Sequence, residues 1–588
     1  MNNFQSEEYC PLNDYPRPYL QRDSFYCLNG FWDLDINQED KTELYSQKIL
    51  VPFSPECKLS GIEHILQPNE QLHYRLFFTL PEGFVKKRVL LHFEAVDQEC
   101  KVWLNQKLIG EHCGGYSSFY FDITDHLCDN NELKVDVKDQ TELLPYARGK
   151  QKLSNTGKYK SIFYKPQSGI WQSVWLESVD EDYITDLKIE TLYDKSEVSI
   201  TIAASNPKLS AEVILYNGTK QIGIKKAGID TPYVFLMKDF EPWTPSNPHL
   251  YDIKIKYGFD EVKSYFGMRK ISCNKDKNGI RRFFLNNKPF FFNGVLDQGY
   301  WPDSLMTNPS DFALIKDIST MKSLGFNTLR KHIKVENRRF YYHCDKLGML
   351  VWQDMPNGGG NYSELFVTEL PNIWPHFGRI ISDKHYRWFK RSVEKGRELY
   401  YQELTNMLCE LKNYTSIVEW TPFNEGWGQF DANKVTDYIK KIDNSRLINQ
   451  ACGWFDQHGG DMYSIHNYRY VLKVKPQLNR VVALTEYGGY AYPIKKHILY
   501  PEKIFGYGYC RSAKELTDKY AELIQRDVLP NIEKGLSAII YTQLSDVEEE
   551  VNGLMTYDRE VVKVDPEDFN HVNKMVYRRF DELTLLKQ

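Results

Sequence analysis

What this chain has little of narrows its class first. Its 588 residues hold 11 cysteines, scattered and odd in number, with no Cys-x-x-Cys pair. Such spacing offers neither a disulfide framework nor a zinc site, and reduced thiols are expected. No run of about 20 apolar residues is present to span a bilayer. The opening, Met1 to Cys10, has no basic stretch followed by an apolar one. No secretory leader is read there, and a cytoplasmic location is expected. An excess of one charge is missing too. The 74 basic and 79 acidic side chains leave a formal net charge of -5. That gives no reason to expect a nucleic-acid or membrane-surface partner. Internal repeats and low-complexity tracts are absent.

Aromatic residues are plentiful, at 14%, with 40 Tyr and 12 Trp. Sugars present apolar C–H faces that stack on such rings, although most of these rings serve as core filling. The length exceeds one hydrophobic core and implies several domains. Residues 1–180 read as short strands with turns, among them Phe31–Asp35, Leu72–Leu80, Val89–Glu94, Val102–Leu104 and Leu133–Val137. That pattern predicts a β-sandwich. Residues 181–272 are again strand-rich, at Ile184–Leu192, Glu197–Ala203, Ala211–Tyr216 and Tyr251–Tyr257, and fit a small immunoglobulin-like sandwich.

From residue 273 to 588 strands and helices alternate. Pro309-Ser310-Asp311 marks a helix start with Ser310 as N-cap. Phe312, Ile315, Ile318 and Met321 follow at helical spacing, and Gly325 closes the turn. Candidate strands fall at 289–295, 327–330, 350–353, 416–421, 447–451, 462–466, 480–486 and 537–543. Eight strands with helical patterns in most intervals, over about 300 residues, predict a (β/α)8 TIM barrel.

Two of these strands end on acids. Val418–Glu425 closes on Asn424-Glu425, before Gly426-Trp427-Gly428. Val481–Glu486 closes on Thr485-Glu486, before Tyr487-Gly488-Gly489. A buried strand that delivers a Glu at its C-terminal end points the acid into the barrel mouth. Two such acids are what glycosidic-bond hydrolysis needs.

With Tyr15-Pro16-Arg17-Pro18, Leu28-Asn29-Gly30-Phe31-Trp32 and Ser168–Glu177, these features resemble glycoside hydrolase family 2, the β-galactosidases, β-glucuronidases and β-mannosidases. The resemblance covers nearly the whole chain. It implies that residues 1–180 are a sugar-binding-type jelly roll. It also implies that Glu425 is the general acid/base and Glu486 the nucleophile of a retaining mechanism, with Asn424 on the sugar 2-OH. Arg330 would hold the nucleophile ionised, and Tyr468 would contact it. His332 stands one residue earlier than the family's Arg-x-x-His spacing, and is as readily a core histidine as a substrate contact. Asp354 occupies the place of a strand-three carboxylate, where it would bind a sugar hydroxyl or pair with a base.

Two departures bear on specificity. After strand one the family's Arg-His pair is missing, which leaves Asp297, Trp301 and Asp303 as sugar contacts. At strand eight, where the family often has Trp, Tyr541-Thr542-Gln543 makes Gln543 the candidate. The following run, Asp546 to Gly553, holds four acids and no lysine. It is expected either to repel a uronic acid at the rim or to be a solvated loop. The excursion 355–384 is read as a substrate-shaping lid, or else as a surface insertion or subunit contact.

The expectation is a retaining, exo-acting β-glycosidase on a neutral terminal sugar, with a β-galactoside first. A β-mannosidase, an arabinosidase or a non-catalytic carbohydrate-binding protein are the alternatives. An oligosaccharide or glycoside is the expected partner, and a homo-oligomer is compatible. No cofactor and no required metal are expected, since no His or acid cluster has metal-motif spacing.

Overall fold

A computed structural model describes residues 10–38, 44–153, 162–363, 365–374 and 377–585. The reading of the first nine residues as leader-free lies outside these. So do Glu364, Pro375 and His376 of the 355–384 excursion.

The N-terminal module is a sandwich of two antiparallel sheets. One has six strands, in the order Gln47–Val51, Gly30–Gln38, Glu70–Phe78, Asn131–Lys138, Glu99–Leu104 and Lys107–Cys113. The other has four, in the order Phe25–Cys27, Val174–Val179, Arg88–Phe93 and Phe119–Asp122. Alternating apolar side chains from the two inner faces, such as Trp32, Leu34, Val135, Leu91 and Leu176, meet in one buried core. The second module packs a three-stranded sheet on a four-stranded one. Its core residues Ile200, Ile202, Val213 and Ile255 again alternate along their strands.

The barrel strands are β1 Phe292–Asp297, β2 Thr328–Lys331, β3 Leu350–Asp354, β4 Ile417–Thr421, β5 Leu447–Ile448, β6 Met462–Asn467, β7 Val481–Gly488 and β8 Leu536–Thr542. They form one parallel sheet in the order β5-β4-β3-β2-β1-β8-β7-β6. The ring is nearly closed. Between β5 and β6 the link is made by the Asp461 N–H to the Ile448 carbonyl at 2.8 Å and the Ile448 N–H to Asp461 Oδ2 at 2.9 Å.

Helices α1 Asp311–Ser323, α2 Arg338–Leu347, α3 Glu394–Leu411, α4 Ala432–Ile442, α5 Ala513–Leu523 and α6 Pro566–Thr584 cover the outside. Among the described residues, the β5–β6 and β6–β7 intervals carry no helix. Ser310 caps α1, its side chain accepting from the Ala313 N–H. The inward face of α1 is Leu314, Ile318 and Met321, while Phe312 points outward and is exposed. No helix of the described residues is long and apolar enough to cross a membrane, and all 11 cysteines are free.

The first barrel strand begins later than the sequence pattern predicts. Asn286 and Asn287, both with positive φ (51° and 63°), make a two-residue turn that folds Lys288–Phe290 back on Arg281–Leu285. Asparagine tolerates that left-handed backbone, and such turns match the twist of a hairpin. The hairpin plugs the N-terminal end of the barrel. Phe283 meets Phe292 at 5.1 Å and Trp352 at 6.3 Å between ring centroids, beside Val418, Ala483 and Ile540. Only the C-terminal end is left for chemistry. Phe283→Ala should cost about 3–5 kcal/mol, read as an earlier thermal transition of the barrel; an unchanged transition would contradict the plug.

Candidate active site

Glu486 and Glu425 reach the barrel mouth by different local devices. Along β7 the register against β8 shifts between Leu484 and Tyr487, and against β6 it shifts so that His466 pairs with Glu486. Such irregularities re-aim side chains beside active sites. Glu425 lies four residues past the end of β4, with φ at 50°. This left-handed backbone is uncommon for a glutamate. It is held by the Glu425 N–H to the Cys452 carbonyl at 2.8 Å. Gly426 follows with φ 74°, and a Cβ there would lie 2.3 Å from the Phe455 ring.

Arg330, fully buried on β2, ties the mouth together. Its Nη1 donates to Glu486 Oε1 at 3.0 Å and to the Thr485 carbonyl at 3.2 Å. Its Nε and Nη2 grip the two oxygens of Asp354 at 3.1 and 2.8 Å. Nη2 also donates to Asn424 Oδ1 at 2.7 Å. That contact fixes the amide, so that Asn424 Nδ2 is the buried donor left without a partner. The Tyr468 hydroxyl donates to Glu486 Oε2 at 2.6 Å, and its ring stacks on Tyr507 at 3.7 Å. His332 Nδ1 meets Gln298 Oε1 at 3.0 Å, while Nε2 stands 3.7 Å from Glu486 and makes no hydrogen bond.

His466 is the residue that sequence reasoning missed. Its Nδ1 lies 2.8 Å from Glu425 Oε1, and its Nε2 lies 3.5 Å from Glu486 Oε1 and 3.2 Å from Cys452 Sγ. The signal was present: Met462, Ser464 and His466 are the buried, alternate positions of β6.

These contacts set the charges. Burial and the Glu486 charge raise the Glu425 carboxyl above its ordinary value. Burial pushes Glu486 up as well, but His466, Arg330 and the Tyr468 hydroxyl outweigh it and hold that carboxyl low. Burial acts downward on His466, yet Glu486 and Cys452 raise it to about 10, so it is an imidazolium. His332, lowered by burial and by Lys150 and Arg330, stays neutral. One carboxylate oxygen of Glu425, one of Glu486 and one nitrogen of His466 all lie within 4.8 Å of one another. The His466 ring nitrogens already stand between the two carboxyls in that space, at 2.8 Å from Glu425 and 3.5 Å from Glu486.

Several expected sugar contacts are used inside the protein instead. Asp297 accepts from Lys331 Nζ at 2.6 Å and from the Gly299 N–H at 2.9 Å, in a buried cluster with Glu336 and Lys334. Trp301 packs under the Arg559 guanidinium at 4.2 Å. Asp303 is a surface residue paired with Lys58. Gln543 accepts from Gln298 at 2.8 Å and donates to Glu550 and Asn552 at 2.9 Å each.

The acidic run is neither a bare rim nor a solvated loop. Asp546 holds Lys563 at 2.6 Å. Glu548 accepts from the Lys165 N–H at 2.9 Å, and Glu550 from the Tyr164 hydroxyl at 2.6 Å. The 355–384 excursion packs its Phe366 ring on Phe455, 5.3 Å between centroids, beside the loop that carries Glu425.

Two antiparallel sandwiches before a (β/α)8 barrel with a buried carboxylate pair at its open end define a class of multi-module barrel proteins. The TIM-barrel sequence model of glycosyl hydrolases family 2 matches residues 277–553. The family's galactose-binding domain-like model matches 63–168, and a third family 2 model matches 182–269. The chain belongs to glycoside hydrolase family 2. A β-galactosidase of Thermoanaerobacter pseudethanolicus is 24% identical over 494 residues, 79% of this chain. The chain spans only 60% of that relative's length. Two solved structures share the fold. The β-D-glucuronidase of Dictyoglomus thermophilum is 16% identical with a TM-score of 0.73, over 96% of this chain and 98% of its own. That of Bifidobacterium dentium is 18% identical with a TM-score of 0.74, over 95% and 98%.

The His466 charge leaves a trace in stability. Its folded value of about 10 exceeds the ordinary 6.5, so protonation stabilises the fold. That contribution is complete below 6.5 and is lost as pH rises through about 10. Urea unfolding across this window should show a stability decline in the wild type that is shallower in His466→Gln. Parallel curves would contradict the imidazolium.

Proposed function

We propose that this chain is a retaining, exo-acting β-glycosidase that releases a terminal β-linked sugar by double displacement. The facing of the two acids across one barrel mouth carries the reading, with an oxygen of Glu425 and one of Glu486 within 4.8 Å at their nearest approach. Carboxyl groups about 5–5.5 Å apart suit direct attack, whereas inversion needs roughly 6.5–9.5 Å to admit a water. Their unequal environments support the division of roles. Glu486, held ionised, attacks the anomeric carbon. Glu425, the raised carboxyl of the two, is the one suited to carry the proton that the leaving oxygen needs. Once Glu486 is esterified, the charge that raised Glu425 is gone, and Glu425 turns to activating water. Asn424 Nδ2, the unfilled donor, suits the sugar 2-OH, whose hydrogen bonds strengthen in the transition state.

For the sugar, the β-galactosidase relative supports a β-galactoside. The solved β-glucuronidases share the fold, and on that ground a uronide is the contrast to test. The wall after β8 offers acids, and its lysine, Lys563, is buried on Asp546 and the Val551 carbonyl. A uronate carboxylate therefore finds no free cation on that wall, and the substrate reads as a neutral sugar. A β-mannoside or an arabinoside is second on the same scaffold. A binding protein without catalysis has no use for a carboxylate pair with opposed shifts. We place the module boundaries at 1–180, 181–272 and 273–588, and the protein, with its free thiols, in the cytoplasm. The lid's exposed Leu365, Ile373, Trp374 and Ile380 suit an aglycone or a second subunit.

Glu486→Gln should abolish formation of the covalent intermediate with every aryl glycoside. Glu425→Gln should lose about 10²–10⁴-fold on poor leaving groups, spare the first step with activated ones, and be partly rescued by a small anion. Equal losses on both kinds of substrate would reverse or remove the assignment. Wild-type kcat/KM should favour an aryl β-galactoside over the matching β-glucuronide; a clear preference for the glucuronide refutes the neutral-sugar reading.

A further inference from the structure

Lys150 comes from the N-terminal sandwich, yet it lies against the barrel mouth. Its segment is clamped to the loop after β3. Ala147 bridges Gly358, and the Arg148 and Gly149 N–H groups both donate to the Asn357 carbonyl, at 2.8 and 3.1 Å. Gly149 has φ +64°, and a Cβ there would meet Tyr116 Oη at 2.8 Å and the Ile333 carbonyl at 2.9 Å. Only glycine fits both demands, so the neighbouring Lys150 is delivered in a fixed place.

Lys150 is 6% exposed. Its Nζ lies 5.1 Å from the ring centroid of Tyr164 and 6.0 Å from that of Trp427, two residues past Glu425. Among the described residues it makes one long hydrogen bond, 3.5 Å to Tyr164 Oη. No carboxylate of a described residue lies within 4.0 Å of it. An ammonium has three donors, and buried donors are nearly always met. The charge also reaches the acids, lowering both Glu425 and Glu486.

We propose that Lys150 is a substrate-binding residue whose unfilled N–H groups donate to ring hydroxyls of the terminal sugar, so that the N-terminal sandwich completes the pocket of the barrel. This rests on the glycosidase reading above. Hydroxyls, rather than a carboxylate, follow from the surrounding charge. Tyr164, the one hydrogen-bond partner of the Lys150 ammonium among the described residues, donates to Glu550 at 2.6 Å, so an opposing charge already stands one hydroxyl away. A sugar carboxylate would crowd Glu550 and Glu486. Lys150 lacks acceptors more than it lacks a counter-charge. The Tyr164 and Trp427 rings flank the ammonium, and aromatic faces suit sugar C–H groups.

Michaelis kinetics of the full chain on an aryl β-galactoside and the matching β-galacturonide test this. Lys150→Met should raise KM for the galactoside about tenfold or more and change kcat far less. Lys150→Gln keeps N–H donors without the charge and should recover most of the loss. Circular dichroism and melting confirm that each variant is folded, and the Gln variant keeps the test informative if Met disturbs the loop. Wild-type-like KM in both variants would overturn the proposal. So would a Gln variant as poor as Met in an enzyme that prefers the galacturonide, which would make Lys150 a carboxylate receiver. If the wild type turns over no aryl glycoside, the glycosidase reading falls and takes this one with it. Turnover with an unmoved KM sinks Lys150 alone.

Discussion

Arg330 directs all five of its N–H donors at barrel-mouth oxygens, two on Asp354 and one each on Glu486, the Thr485 carbonyl and Asn424. A charge this deeply buried is tolerable only when it is paired and its donors are met. The pairing in turn fixes where the carboxylates sit. Asp354 and Glu486 bring two negative charges to one guanidinium. The second positive charge is His466, 3.5 Å from Glu486 and 2.8 Å from Glu425. Burial and the Glu486 charge then raise the Glu425 carboxyl, while His466 and Lys150 pull it the other way. The opposed shifts of the two glutamates follow from this charge count.

The modules meet on the same terms. The Tyr164 hydroxyl and the Lys165 N–H of the sandwich serve Glu550 and Glu548 of the barrel, and the Arg148 side chain donates to the Gly359 and Gly360 carbonyls of the lid. A barrel alone would leave these acids short of donors. The sandwich is therefore part of the wall of the mouth rather than an appendage to it.

Much of this was legible in the sequence, for physical reasons. Strands that alternate or run apolar, and helices with caps such as Ser310, declare themselves locally, so all eight barrel strands were found within a few residues. Glu425, Glu486, Arg330 and Tyr468 carried signals because each stands near the C-terminal end of a barrel strand. What went unread was the pairing: Asp297, Trp301 and Gln543 also lie near strand ends, but their partners Lys331, Arg559 and Glu550 are set by tertiary packing that no local pattern encodes. The acids after β8 looked unpaired because Tyr164, Lys165 and Lys563 lie outside their run. Lys150 was invisible for the same reason, since it reaches the mouth from another module. The Asn-Asn turn at 286–287 shows the reverse failing: a local signal was there and went unread, which displaced the start of β1.

The central claim is that Glu486 forms a covalent bond to the sugar within reach of Glu425. A 2-deoxy-2-fluoro aryl β-glycoside with a good leaving group should trap that intermediate, and peptide mass spectrometry should find the label on Glu486. Proton NMR of a normal substrate should show the β-anomer as the first product. A label on another residue, or the α-anomer appearing first, would contradict the account.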